Sequence, residues 1–195
     1  GQYGFRLEKR LHQAIKSGAR QITLSSGARV LEELYKILKK PYCHATFTAC
    51  QKLGLLKHLL PRLSADWESE TGKFAQLLLK TRDDYLARGE LFASRVSGLG
   101  AILLPFAARE FKAHTNGFLW NNFAGIDKQL QTLVKDFFAA PAALNCPPRY
   151  MVAKIRDVLL LQPKFLEKTR TRRRVLRHPE YSWARDLFSI CVYAC

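Results

Sequence analysis

Residues 25–41 read SSGARVLEELYKILKKP, and the pattern of this stretch is typical of one amphipathic helix. Its apolar residues recur at intervals of three and four, which predicts a helix with one face against a core. The residues of that face are Val30, Leu31, Leu34, Tyr35 and Leu38. Ser25 or Ser26 can cap the amino end, and Pro41 ends the helix because proline lacks the N–H that a helix interior needs.

The same period continues outward along nearly the whole chain, and no stretch alternates convincingly over the length of a strand. We therefore predict an all-α fold, an irregular array of about nine to ten helices. The first helix carries an apolar stripe of Leu7, Leu11, Ala14 and Ile15 and is closed by Ser17 and Gly18. Further helices are expected near residues 42–53, 55–60, 73–88, 90–112, 118–139, 149–161, 163–176 and 180–193, with a loop at 64–72 and a linker at 141–148. We divide the chain into residues 1–63, 64–140 and 141–195 and expect these parts to form one continuous helical unit.

Composition indicates a packed protein with a strongly cationic surface. The 195 residues are 48% hydrophobic, and 32 Lys and Arg against 16 Asp and Glu leave a formal charge of +16. Such an excess is most easily neutralised by a polyanion, and nucleic acid is the commonest one. The longest apolar stretch, residues 99–108, is about half of the roughly 20 residues that a membrane-spanning helix needs, so no membrane partner is expected.

Cysteine usage favours a reducing compartment. The five cysteines are odd in number and irregularly spaced: Cys43, Cys50, Cys146, Cys191 and Cys195. They indicate reduced thiols in an intracellular or organellar protein. His44 lies beside a cysteine, but the paired spacing of a zinc site is missing, so no metal site is predicted and the cysteines are expected to be small core residues.

No catalytic residue or cofactor is predicted either, because the sequence lacks both clustered carboxylates and a phosphate-cradling glycine loop. Asp83 and Asp84 are the only adjacent aspartates, and neighbours on a helix point about 100° apart. We expect them on a solvated face. Trp67, Trp120 and Trp183 lie among core-type residues, so packing is favoured over base stacking.

The densest charge is near the carboxyl end, where one glutamate opposes seven cations within fourteen residues. The cations are Lys164, Lys168, Arg170, Arg172, Arg173, Arg174 and Arg177. In a helix, Arg170, Arg173, Arg174 and Arg177 would form one stripe, and the anchors to the core would be Phe165, Leu166, Val175 and Leu176. Such a stripe fits a phosphate backbone, since guanidinium groups bind phosphate oxygens bidentately. A solvated face or a localisation signal is the alternative.

The first helix offers a second, sparser cationic face. It consists of Arg6, Lys9, Arg10 and Lys16, with Arg20 after the helix. Here RNA contact and an ordinary solvated surface are equally compatible with the pattern.

Several motifs follow one another along the chain: GQYGF at 1–5, ARVLEELYKIL at 28–38, CQKLGLLKHLLP at 50–61, PPR at 147–149 leading to IRDV at 155–158, and VLRHPEY at 175–181. In this order they resemble the neck and body of bacterial-type (class II) poly(A) polymerases and CCA-adding enzymes. The carboxyl-terminal motifs are more similar to the poly(A) polymerases than to the CCA-adding enzymes. Residues 66–140 match only as helices.

The resemblance implies an RNA-holding helical body without its catalytic head, because the head's Gly-Gly/Gly-Ser turn and Asp-x-Asp pair and the neck's Glu-Asp-x-x-Arg have no counterpart here. The expected function is that of a non-catalytic RNA-binding module in a larger ribonucleoprotein, such as a mitochondrial or other organellar ribosome, with RNA phosphates and neighbouring proteins as partners. One alternative is the carboxyl-terminal part of an active polymerase whose head is missing from this chain. The other is a helical scaffold for protein interactions.

Overall fold

The computed structural model describes residues 7–112, 126–138, 147–165 and 172–194. Across these ranges every regular element is helical, which confirms the all-α prediction. The α-helices are α1 Lys9–Gly18, α2 Gly27–Leu38, α3 Cys43–Lys52, α4 Leu56–Leu59, α5 Pro61–Ala65, α6 Glu70–Ala87, α7 Arg95–Lys112, α8 Ile126–Phe138, α9 Arg149–Leu161, α10 Arg172–Leu176 and α11 Tyr181–Ala194. Two 3-10 helices, Ala19–Leu24 and Pro163–Phe165, complete the described elements.

Helix α7 is the centre of the core and contacts α2, α6, α8, α9 and α11. It is apolar on all sides over most of its length, and residues 99–107 are all buried, as expected for a helix enclosed by others. Gly100 allows one close approach, because a Cβ there would lie 2.9 Å from Leu187 Cδ2 of α11. Pro105 lies inside α7.

Helix α2 confirms the prediction from residues 25–41. The Oγ of Ser26 accepts a hydrogen bond from the Arg29 N–H at 3.4 Å, and the helix ends at Leu38. Four of the five predicted core residues are buried, and Val30 packs partly buried against the same core.

Two predicted helix starts are wrong, each because a serine caps the helix where the apolar period gives no sign of it. The loop expected at 64–72 is shorter, since α5 occupies its start and Ser69 caps α6 by accepting from Gly72 N–H at 3.1 Å. The helix expected from residue 90 begins at Arg95, where Ser94 Oγ accepts from Val96 N–H at 3.1 Å. The helix expected at 118–139 is described only from Ile126, and most of the linker expected at 141–148 lies outside the described residues.

The apolar stripe predicted for the first helix does not reach the core. Leu7 and Leu11 are 48% and 49% exposed, and α1 has no buried residue. Helix α1 packs mainly against the 3-10 helix that follows it. The period correctly predicts an amphipathic helix, but it cannot say whether another element covers the apolar face.

The prediction of a solvated face for Asp83 is also wrong. Arg82 and Asp83 are 1% and 7% exposed, because α6 is enclosed by α3, α7 and α11. The Arg82 guanidinium donates to the carbonyls of Leu38 and Ser94, and Asp83 Oδ2 accepts from His44 N–H at 2.8 Å. Arg82 therefore lies at the carboxyl end of α2 and Asp83 at the amino end of α3. Each charge has the sign that the helix dipole favours at that end.

The other core expectations are confirmed where the structure describes them. Trp67 is buried, and Trp183 packs partly buried against the core. Cys43 is buried, while Cys50 and Cys191 are half-buried and pack against the core. Trp120, Cys146 and Cys195 lie outside the described residues.

Candidate nucleic-acid interface

Three arginines of the carboxyl-terminal cluster line one groove on the surface. Arg173, Arg174 and Arg177 enclose about 520 Å³ together with His178 and Pro179. All three arginines are exposed. The groove is therefore a concave, cationic surface that an anionic chain can enter from solvent.

The local fold explains this placement. Val175 is buried and anchors α10, so Arg173 and Arg174 on the same helix remain at the surface. The chain then turns at His178, whose N–H donates to the Val175 carbonyl at 3.1 Å and whose Nδ1 accepts from Glu180 N–H at 3.1 Å. This turn brings Arg177 beside the helical arginines.

The helix predicted over 163–176 differs from what the structure describes. Pro163–Phe165 is a 3-10 helix, α10 starts at Arg172, and Arg177 lies after the end of α10. Arg173 and Arg174 of α10 and Arg177 of the turn after it therefore meet in one groove, and Arg170, the fourth residue of the predicted stripe, lies outside the described residues. Phe165 anchors as expected, stacked on Phe188 with ring centroids 5.0 Å apart, whereas Leu176 is 50% exposed and does not.

The groove is not neutralised by the acidic residues that the structure describes. None of the ion pairs within the described ranges involves Arg173, Arg174 or Arg177. Glu180 is the acid nearest to them in the sequence, and it binds Lys154 instead, with Nζ and Oε1 2.9 Å apart. Charge that no described acid neutralises is available to a partner.

The rest of this cluster contributes less to the described surface. Lys164 lies in the second 3-10 helix and has an interaction of its own. Arg172 begins α10, and nothing is described of its side chain. Lys168, Arg170 and the expected anchor Leu166 lie outside the described residues.

The amino-terminal cluster is exposed and open. Lys9, Arg10 and Lys16 lie on α1 and Arg20 on the following 3-10 helix, all exposed and without an ion pair among the described residues. Arg6 lies outside the described residues.

Sequence reasoning missed that helix α4 extends this amino-terminal surface. The first 3-10 helix contacts α4, and partial burial and the charges of Lys57 and Arg20 lower the pKa of His58. Lys57 therefore belongs to the same electropositive region as Arg20. Only the fold reveals this, because the two residues are far apart in the sequence.

Comparison with known proteins supports an RNA-binding helical module of the poly(A) polymerase type. Residues 4–66 match the family model described as "Probable RNA and SrmB- binding site of polymerase A". The match covers about a third of the chain, from the start of the amino-terminal cluster through α5. A search of the curated proteins found no match.

Within the described ranges, no three His, Cys, Asp or Glu side chains come together as a metal site would require. None of the helices described is both long and apolar enough to cross a bilayer.

Proposed function

We propose that this chain is a non-catalytic RNA-binding module derived from the body of a poly(A) polymerase, and that it serves as a structural subunit of a ribonucleoprotein such as a mitochondrial ribosome. The observation that carries the proposal is the family match over residues 4–66. The arginines of the carboxyl-terminal groove, which form no ion pair with a described residue, support it independently, since they lie outside the matched range.

The proposed mechanism is electrostatic docking. Each phosphate that a lysine or arginine neutralises releases counterions, which gives affinity with little sequence preference. Arg173, Arg174 and Arg177 would bind one stretch of backbone, and Lys9, Arg10, Lys16 and Arg20 a second. The non-catalytic part of the proposal rests on the absence of nucleotidyl-transfer motifs from the sequence.

Binding of single-stranded RNA by charge-reversal variants tests the RNA-binding part. Fluorescence anisotropy would compare the wild type with R173E/R174E/R177E and with K9E/R10E/K16E at one moderate salt concentration. Each variant is expected to bind at least tenfold more weakly, because each replaces phosphate contacts by repulsion. The control is K73E/K128E/K135E, which changes the net charge equally on exposed lysines of α6 and α8.

If the control loses as much affinity as the cluster variants, the net charge and not the proposed surface drives binding. If the wild type binds RNA weakly and independently of salt, a protein scaffold is the better function. Sedimentation of the native protein in a density gradient, with and without ribonuclease, tests the ribonucleoprotein part. Migration with a large particle that ribonuclease shifts is expected, and migration as a free protein would refute it.

A further inference from the structure

A second cationic pocket lies on the body, formed where the ends of four helices meet. Its lining residues come from directly after the carboxyl end of α2 and from the amino ends of α7, α9 and α11. Its volume is about 230 Å³. The lining residues that matter here are Lys39, Ser94, Arg95, Tyr150, Lys154 and Trp183.

The pocket is positively charged. Three of its lining residues are cations and none is acidic. Lys39 is exposed and has no ion pair among the described residues. Lys154 binds Glu180 through Nζ, which leaves further N–H groups of that ammonium for another partner. The guanidinium of Arg95 lies 5.0 Å from the ring centroid of Tyr35.

A buried charge beneath the pocket adds to its potential. The Arg82 guanidinium donates to the carbonyl of Ser94, a lining residue, and to that of Leu38, which precedes Lys39. Asp83 Oδ1 lies 3.5 Å from this guanidinium, and Asp83 Oδ2 accepts the shorter hydrogen bond from the His44 N–H of α3. The amino end of α7 contributes the positive end of its dipole to the same region. An anionic group would therefore be favoured there.

Two aromatic side chains distinguish this pocket from a simple phosphate site. Tyr150 remains 52% exposed, and Trp183 is half-buried, although both line the pocket. Exposed aromatic rings stack bases of single-stranded nucleic acid, whatever the base. Cations for a phosphate and rings for a base are the two requirements for binding a nucleotide.

The size indicates how much of a ligand would fit. Clefts that enclose whole small molecules have volumes of about 300–1,000 Å³, and this pocket is smaller. It suits one unit of a longer chain. The geometry points to a site for one unpaired nucleotide of the bound RNA, with the phosphate on Lys39 and Arg95 and the base against Tyr150 and Trp183. This inference rests on the proposed RNA-binding function and adds a base-contacting subsite to it.

The test compares two probes of equal charge and length, an oligoadenylate of ten nucleotides and an abasic ribose-phosphate decamer. The wild type is expected to bind the oligoadenylate at least fivefold more tightly, since stacking acts only on bases. Tyr150→Ala should remove most of that difference without weakening the abasic probe, and Lys39→Glu should weaken both probes. The matched controls are Phe92→Ala and Lys40→Glu, which alter an exposed aromatic and an exposed lysine outside the pocket and should behave as the wild type.

Circular dichroism confirms that each variant is folded before binding is measured. Equal affinity of the wild type for the two probes would overturn the inference, as would wild-type behaviour of both Tyr150→Ala and Lys39→Glu. If those two variants bind normally while R173E/R174E/R177E loses both probes, the subsite fails and the RNA-binding function stands. If the wild type binds neither probe at low salt, both fail.

Discussion

At the scale of single residues, Arg82 joins parts of the fold that are far apart in the sequence. It is almost completely buried, it pairs with Asp83, and it supplies hydrogen bonds to two helix ends. Removal of one partner from a buried ion pair leaves an uncompensated charge, which costs about 3–5 kcal/mol. The same guanidinium links the carboxyl end of α2 to the amino end of α7, and it lies beneath the second pocket.

Arg82→Ala should therefore lower the free energy of unfolding by about 3–5 kcal/mol in urea denaturation. The matched control is Arg88→Ala, which removes an exposed pair with Glu90 near the end of the same helix and should cost about 1 kcal/mol or less. Equal losses in the two variants would show that the buried network does not have the role assigned to it.

Asp83 supports a prediction about pH. Burial raises its pKa from the ordinary 3.8 to about 6, although the His44 N–H and the Arg82 guanidinium act in the opposite direction. Between these two values the folded protein holds a proton that the unfolded chain has lost, so the stability contributed at this site falls as the pH rises. The difference of about two pKa units sets an upper bound of roughly 3 kcal/mol.

We therefore compare the free energy of unfolding of Asp83→Asn with that of the wild type. The difference, variant minus wild type, should increase between about pH 4 and pH 6 and remain level above that range. Urea unfolding of both proteins at several pH values measures it. His44 and His58, whose pKa values are lowered, titrate in both proteins, so the subtraction removes their contribution. A difference that does not vary with pH would contradict the raised pKa.

At the scale of helices, several features that depend only on neighbouring residues in the sequence were predicted correctly. The period and the serine cap of α2 predicted its core face and its start, and Gly54 after α3 has the positive φ of 72° expected where a helix closes. The burial of Asp83 and the exposure of Leu11 could not be predicted, because both depend on which other elements surround a helix. The helical period did group Arg173, Arg174 and Arg177, which line one groove, but it did not predict the turn at His178 that forms part of that groove.

Gly72 permits the tight junction between α5 and α6. A Cβ at this position would lie 1.9 Å from the backbone oxygen of Asp66, which cannot move aside as a side chain can. Gly72→Ala should therefore destabilise the protein by about 1–3 kcal/mol or more, although alanine is the better helix former.

Thermal unfolding measures this effect, and Gly18→Ala is the control, because a Cβ there would make only ordinary contacts, the nearest at 3.6 Å. The control should retain or slightly gain stability. An unchanged melting temperature for Gly72→Ala would show that the junction is looser than described.

At the scale of the whole molecule, the net charge of +16 predicted a polyanionic partner but not where it binds. In the fold, cationic residues are concentrated at three places. These are the amino-terminal surface within the family-matched residues, the groove at α10, and the pocket between helix ends. The third of these joins residues from α2 to α11 that are distant in the sequence, so no local pattern could have revealed it. The expectation of an RNA partner was available from the charge and from the motifs alone.

The salt dependence of RNA affinity tests the central claim most directly. The logarithm of the association constant for a single-stranded RNA should fall linearly with the logarithm of the salt concentration. Loss of three phosphate contacts in R173E/R174E/R177E should make that slope shallower by about 2, while K73E/K128E/K135E keeps the wild-type slope. Identical slopes for all three proteins would contradict the account, because the groove arginines would then not contact phosphate.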